Sequence, residues 1–300
     1  MEQHIFFENR GCQLMGALHT PDTPAVREGV LVFLHGWAGY RIGPHQMFTK
    51  LARRACAEGF PCLRFDFRGR GDSEGDAQVT TLSTMISDAV AATKLIRQRT
   101  GVSRVAFIGD CSGSEVAIGA APLAAGGDSL VLWSAPIVGA NRAASDRAKK
   151  QHILKQYAHK LLRKETWQKL LGGKLQFDMI KKAALGGGKG AGEEGSEEDR
   201  DIDWLRRFYD FKGEALYIYG GNDPTRPESV EHYQALSLRA NREFSLHLVK
   251  GANHAFYSLA WENEVMDTTL DWLRGRYAAV PVAAVPVAAV LSPSLAGETR

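Results

Sequence analysis

The chain has 300 residues, 44% hydrophobic and 24% charged, with a formal charge of +3. That is an ordinary globular balance, long enough for one α/β core, and one domain with an insertion accounts for it better than two independent domains. No dense Lys/Arg run sits beside aromatic residues, so a nucleic-acid partner is not expected.

Met1 to Gly16 holds no apolar stretch of signal-peptide length. No segment reaches the roughly 20 apolar residues of a membrane span. The nearest, Ala278 to Leu291, is interrupted by Pro281 and Pro286. A cytoplasmic location without a membrane span is the resulting expectation.

Val30 to Leu34 is a continuous apolar run rich in β-branched residues, as a strand buried on both faces requires. It ends in His35-Gly36-Trp37-Ala38-Gly39. Phe48 to Glu58 has helical spacing and stops at Gly59. Pro61 to Phe67 reads as a strand, followed by the glycine-rich loop Arg68 to Gly75. Its glycine spacing fits neither G-x-G-x-x-G nor a P-loop, so it reads as structural. Thr81 to Thr100 predicts a long helix closed by Gly101, Arg104 to Ile108 a strand, and Ser112 to Ala121 a small-residue helix. Leu130 to Trp133, Ala215 to Tyr219 and Phe244 to Val249 predict further strands, and Trp261 to Arg276 the last helix.

Strands alternating with helices imply an α/β fold, a mostly parallel sheet flanked by helices. Residues 1–135 and 212–277 form that core. The alternation breaks over residues 136–211, which read as an inserted helical lid; Asp203 to Phe211 adds a short helix. Within it, residues 186–201 are glycine-rich and then acidic, too poor in apolar surface to order, and predict a flexible loop. The lid's Arg142, Arg147, Lys149, Lys150 and Lys155 fit a solvated helix face better than a site for an acidic ligand or carrier. Residues 278–300 read as a flexible Pro/Ala/Val tail.

The four cysteines form no C-x-x-C pair, and no H-E-x-x-H is present, so neither a disulfide framework, a zinc site nor any other cofactor is expected. Cys12, Cys56 and Cys62 read as small buried hydrophobes. Cys111 differs. In Gly109-Asp110-Cys111-Ser112-Gly113-Ser114, a strand runs straight into a helix through small-x-nucleophile-x-small, with cysteine where serine is usual. Glycines are needed there because side chains would strike the adjoining strand and helix. Ser112 and Ser114 are rival nucleophiles. Around Ser112 the small positions would be Asp110 and Ser114, a poor fit that favours Cys111; a buried, unreactive cysteine is the bland alternative.

A thiol at a helix N-terminus faces the positive dipole end, but Asp110 opposes it, so a histidine is required. His254 follows the last core strand, in Asn253-His254-Ala255-Phe256. Asp223 follows the preceding strand, in Gly221-Asn222-Asp223-Pro224, where it can orient the imidazole. A plain turn is its alternative reading. The Ser112 and Trp37 N–H groups are the expected oxyanion donors, with Gly36 permitting close approach. His35 is expected to be a structural hydrogen-bonder.

In this order, the His-Gly loop, Asp66 to Ser73, the Cys111 elbow, Asp223 and His254 resemble the α/β-hydrolase superfamily over Gly16 to Arg274. A cysteine in the elbow is similar to dienelactone hydrolases and polyhydroxyalkanoate synthases. Tyr40 to Phe48, Pro61 to Asp66, Leu161 to Phe177 and Asn253 to Trp261 more closely resemble the group called exosortase A system-associated hydrolase 1, found in bacteria beside exopolysaccharide and protein-sorting genes. The resemblance implies an esterase or thioesterase working through an acyl-cysteine on a small-molecule or carrier-bound acyl substrate. An acyltransferase with the same triad, or a non-catalytic binding protein of the same fold, are the alternatives. Oligomeric state is not legible in the chain.

Overall fold

The computed structural model describes residues 1–138 and 202–281. Most of the predicted lid, including its 186–201 loop and its basic residues, and the tail beyond 281 lie outside them.

Eight strands form one sheet in the order β1-β2-β5-β4-β6-β7-β8-β9: β1 (Glu2–Asn9), β2 (Cys12–His19), β4 (Gly29–Leu34), β5 (Cys62–Phe65), β6 (Arg104–Asp110), β7 (Gly127–Trp133), β8 (Glu214–Gly220) and β9 (Ser245–Val249). From β5 to β9 every pairing is parallel. The predicted strands are therefore all present. One edge adds an antiparallel hairpin not expected from the sequence, where β1 pairs β2 and β2 pairs β5. Its turn, Arg10-Gly11, has positive φ at both residues, as a tight hairpin turn requires. β1 is half solvated and carries Glu2, Gln3, Glu8 and Asn9, so it lacks the apolar run that marked the inner strands.

Helix α1 (Met47–Ala57) and helix α6 (Leu259–Arg274) pack on one face of the sheet, where Phe33, Phe48, Trp133, Ile218, Val265 and Leu270 share a fully buried core. Helices α2 (Leu82–Thr100) and α3 (Ser112–Ala120) cover the other face, joined by α4 (Trp204–Asp210), which packs on α3. Helix α5 (Arg226–Arg239), absent from the sequence reading, stacks Tyr233 on Tyr217 at 4.9 Å between ring centres. Its buried positions are Ser229, Tyr233, Leu236 and Ser237, and the two serines hide its helical period.

Cys56 and Cys62 are buried as expected, but Cys12, on the exposed hairpin, is only partly so. At the chain's far end β10 (Ala279–Pro281) pairs antiparallel with β3 (Ala25–Arg27), so the first residues of the predicted tail belong to a small sheet. Among the described residues no helix is long and apolar enough to cross a membrane.

Candidate active site

The parallel strands β4, β6, β7, β8 and β9 all end at one edge of the sheet, and the predicted site residues lie on the loops that leave it. β6 ends at Asp110, α3 begins at Ser112, and the single residue between them is Cys111. Cys111 has φ 52° and ψ −123°, a conformation that L-residues avoid and that costs about 1–3 kcal/mol. It is held there from both sides: the Cys111 N–H donates to the Trp133 carbonyl (2.9 Å), and the Cys111 carbonyl accepts from the Ser114 N–H (2.9 Å).

The flanking glycines are required sterically, as the sequence implied. A Cβ on Gly109 would come within 2.7 Å of the Gly113 carbonyl and of Ser114 Cα, and one on Gly113 would collide with the Leu34 carbonyl. The bend projects Cys111 into partial exposure while Ser112 and Ser114 stay buried. Ser114 Oγ is turned inward, donating to the Gly109 carbonyl at 3.1 Å.

His254 is carried by the loop between β9 and α6 and Asp223 by the loop after β8. The two loops are tied together: Gly221 N–H donates to the Val249 carbonyl (2.8 Å) and Asn222 N–H to the Ala252 carbonyl (2.8 Å). His254 Nδ1 donates to Asp223 Oδ2 at 2.8 Å, which leaves Nε2 as the nitrogen available to the thiol. Asp223 Oδ1 accepts from Thr225 N–H (3.0 Å) and Thr225 Oγ1 (2.8 Å). Burial alone would raise the Asp223 carboxyl; the hydrogen bond and charge of His254, with the Thr225 bonds, hold it below the usual range.

Burial also disfavours a charged His254, but hydrogen bonds to Asp223 and Cys111, and the negative charge of both, push its pKa up to about 10. Two further supports escaped the sequence reading. Ser134, itself at φ 46°, donates its hydroxyl to the His254 carbonyl at 2.8 Å. Phe256, at φ 54° and fully buried, anchors the other side of the loop. Neither carries a local signal, because serine and phenylalanine at such positions look like any loop and core residue.

The loop expected to supply an oxyanion donor follows β4. Gly36 lets it press on the elbow: a Cβ there would sit 3.3 Å from the Asp110 carbonyl and 3.5 Å from Cys111 Cβ. The Trp37 N–H points at the elbow and donates to Ser112 Oγ at 2.7 Å. Arg70, from the glycine-rich loop, fixes Trp37 by donating Nε to its carbonyl (2.8 Å) and lying 5.2 Å over its ring. The rest of that loop is structural, as read: Asp66 accepts from the Arg41 N–H (2.6 Å) and the Asp72 N–H (3.0 Å) and pairs with the Arg41 guanidinium. His35 is structural too. Buried and pushed down to a pKa of about 4 by desolvation, it donates Nδ1–H to the Gly36 carbonyl (2.8 Å) and accepts at Nε2 from the Phe67 N–H (3.3 Å). Among the described residues no cluster of three or more His, Cys, Asp or Glu side chains could hold a metal ion.

From the sequence, Asp110 is only a counterweight to the helix dipole. Burial pushes its carboxyl up to about 6, against the pull of His254. A raised carboxyl stabilises the fold in its neutral form below the ordinary carboxylate range, and that contribution is lost as pH rises through about 6. Asp110→Asn is therefore expected to melt several degrees above the wild type at pH 8 and level with it at pH 4, measured by calorimetry. An equal difference at both pH values would show that Asp110 does not titrate in this range.

A family model described as serine aminopeptidase, S33, matches residues 25–183. Protein ABHD12B of Homo sapiens is 35% identical over 99 residues, 32% of this chain and 26% of that protein. Lysophosphatidylserine lipase ABHD12 of Danio rerio is 36% identical over 88 residues, 29% of this chain and 22% of its own length. The chain thus spans about a quarter of the length of the curated relatives it matches. The esterase Pf2001 of Pyrococcus furiosus superposes with a TM-score of 0.63 at 18% identity, covering 92% of this chain and 90% of that one.

Proposed function

The chain belongs to the α/β-hydrolase family described as serine aminopeptidase, S33, and on that footing we propose that it is an acyl hydrolase, an esterase or thioesterase, whose nucleophile is Cys111 rather than a serine. One observation carries the reading: a single imidazole, His254, is hydrogen-bonded to a buried carboxylate at Nδ1 and interacts with the elbow cysteine as well. That is the arrangement of nucleophile, base and orienting acid that covalent acyl transfer needs. Asp223 fixes which nitrogen of His254 carries the proton and stabilises the imidazolium.

In the proposed reaction the Cys111 proton rests on His254 Nε2, and Cys111 Sγ attacks the acyl carbonyl as the thiolate of that ion pair. The S–C bond forms, the bond to the leaving alcohol or thiol breaks, and His254 returns the proton to the leaving group. Water then attacks the thioester, giving a proton to His254. The acid departs and leaves the Cys111 thiolate beside the protonated His254, as at the start. The developing oxyanion is met by the Ser112 N–H, which has no acceptor within its own helix, with the Trp37 loop packed beside it.

The family's description as a serine aminopeptidase and the lipase name of one relative support hydrolysis at an acyl carbonyl, and the family's description names serine where this chain has Cys111. The same reading sets the chain beside the cysteine-bearing exosortase A system-associated hydrolase 1 group, with a small-molecule or carrier-bound acyl substrate. The test is intact mass after brief exposure to 4-nitrophenyl acetate. One acetyl group per chain, decaying as acetate is released, is expected. A chain that liberates acetate without ever carrying the acetyl group would contradict a covalent route.

A further inference from the structure

Ser112 is buried, 7% exposed, yet it presents its hydroxyl beside the nucleophile. That hydroxyl accepts the Trp37 N–H at 2.7 Å, so it stands where this donor would meet a substrate oxygen. A serine oxygen that accepts one hydrogen bond still has its own proton to donate. Among the described residues Ser112 Oγ makes no other hydrogen bond, so this proton is not committed to a protein acceptor. Trp37 is itself held by Arg70, at its carbonyl and over its ring, and Gly36 sets the loop against the elbow.

We propose that the Ser112 hydroxyl is a donor of the oxyanion hole: it takes the Trp37 N–H and passes the polarisation on, donating its own O–H to the oxygen that develops charge when Cys111 attacks. The oxyanion is then held by the N–H and O–H of one residue, and Trp37 acts through Ser112 rather than directly. A hydroxyl already polarised by a backbone donor is a stronger donor than a free one, because hydrogen bonds in a chain reinforce one another. No covalent bond of Ser112 changes, and the proton stays on Oγ throughout. This inference rests on Cys111 being the nucleophile.

Two reactions of Cys111 separate the roles. Acylation by 4-nitrophenyl acetate builds negative charge on oxygen; alkylation by iodoacetamide displaces iodide and builds none at that position. Both rates are measured by intact mass on the wild type and on Ser112→Ala, Ser112→Thr and Ser112→Val. Acylation is expected to fall about 100-fold in Ser112→Ala and Ser112→Val and to stay within a few-fold of wild type in Ser112→Thr, which keeps the hydroxyl. Alkylation is expected to stay near the wild-type rate in all three. If Ser112→Ala and Ser112→Val acylate as fast as wild type, or faster, the hydroxyl is no donor and merely fills the site. If Thr and Val variants lose acylation equally, shape and not the hydroxyl is responsible, and the proposal fails. A wild type that is alkylated at Cys111 but never acylated would instead overturn the nucleophile assignment on which it stands.

Discussion

Cys111→Ala is expected to fold with a melting temperature close to the wild type and to lose ester turnover by about 10⁴-fold or more. The first half follows from the elbow. Cys111 is only partly buried, and its strained φ of 52° is imposed by the Trp133 and Ser114 hydrogen bonds, both made by backbone atoms that alanine keeps. The second follows from the reaction, which has no bond to form at position 111 without sulfur. Ser112 and Ser114 do not replace it. Ser112 begins α3 with helical backbone and its hydroxyl is engaged by Trp37, while Ser114 Oγ points back at the Gly109 carbonyl. Retention of more than about a hundredth of wild-type turnover in Cys111→Ala, checked with a slow ester to exclude contaminating esterase, would mean that another group attacks.

The second large effect is expected at the pair His254 and Asp223. His254→Ala is expected to cost as much turnover as loss of Cys111, and Asp223→Asn about 10³- to 10⁴-fold, because an amide at 223 stabilises no imidazolium and favours the wrong tautomer. The double variant should be scarcely worse than His254→Ala alone, since residues that act as one unit do not add. The pair also has a signature independent of turnover. His254 is raised to about 10 by hydrogen bonds and charge from Asp223 and Cys111 that outweigh its burial. Its imidazole resonances in wild-type protein should therefore titrate far above the ordinary 6.5, and should move downward in Asp223→Asn and in Cys111→Ala.

The sign for stability follows from both shifts. A raised histidine stabilises fully below its unfolded value near 6.5, and that contribution fades as pH climbs toward about 10. A depressed aspartate stabilises above the ordinary carboxylate range and loses this as pH falls through its lowered value. The stability difference between wild type and Asp223→Asn should accordingly be greatest between about pH 4 and 6.5 and shrink on both sides. A difference that grows steadily above pH 7 would show that Asp223 does not hold a charged His254.

The elements that surround this site could be read from the chain because their constraints are local. The strand from Arg104 and the helix from Ser112 are joined by one residue, and only glycine fits at 109 and 113. That geometry leaves its mark in the amino-acid sequence. Val30 to Leu34 announces itself because a strand buried on both faces tolerates no polar residue. The edge hairpin and α5 were hidden for the opposite reason. β1 is half solvated, and α5 buries serines where an apolar stripe would have shown. What no local pattern encodes is who meets whom. Arg70 lies in a loop whose glycines suggested structure alone, yet it fixes Trp37 from 33 residues away. Ser134 braces the His254 loop across 120 residues. The use of the Trp37 N–H on Ser112 Oγ, rather than on open space, depends on two loops meeting in three dimensions and could not be foreseen from either.

Peptide mapping of the trapped intermediate tests the nucleophile most directly. Protein exposed to an activated acyl ester, quenched in acid and digested, should carry the acyl group on Cys111 as a thioester that neutral hydroxylamine removes. The same group found on Ser112 or Ser114, or on any residue outside the turn between β6 and α3, would contradict the account.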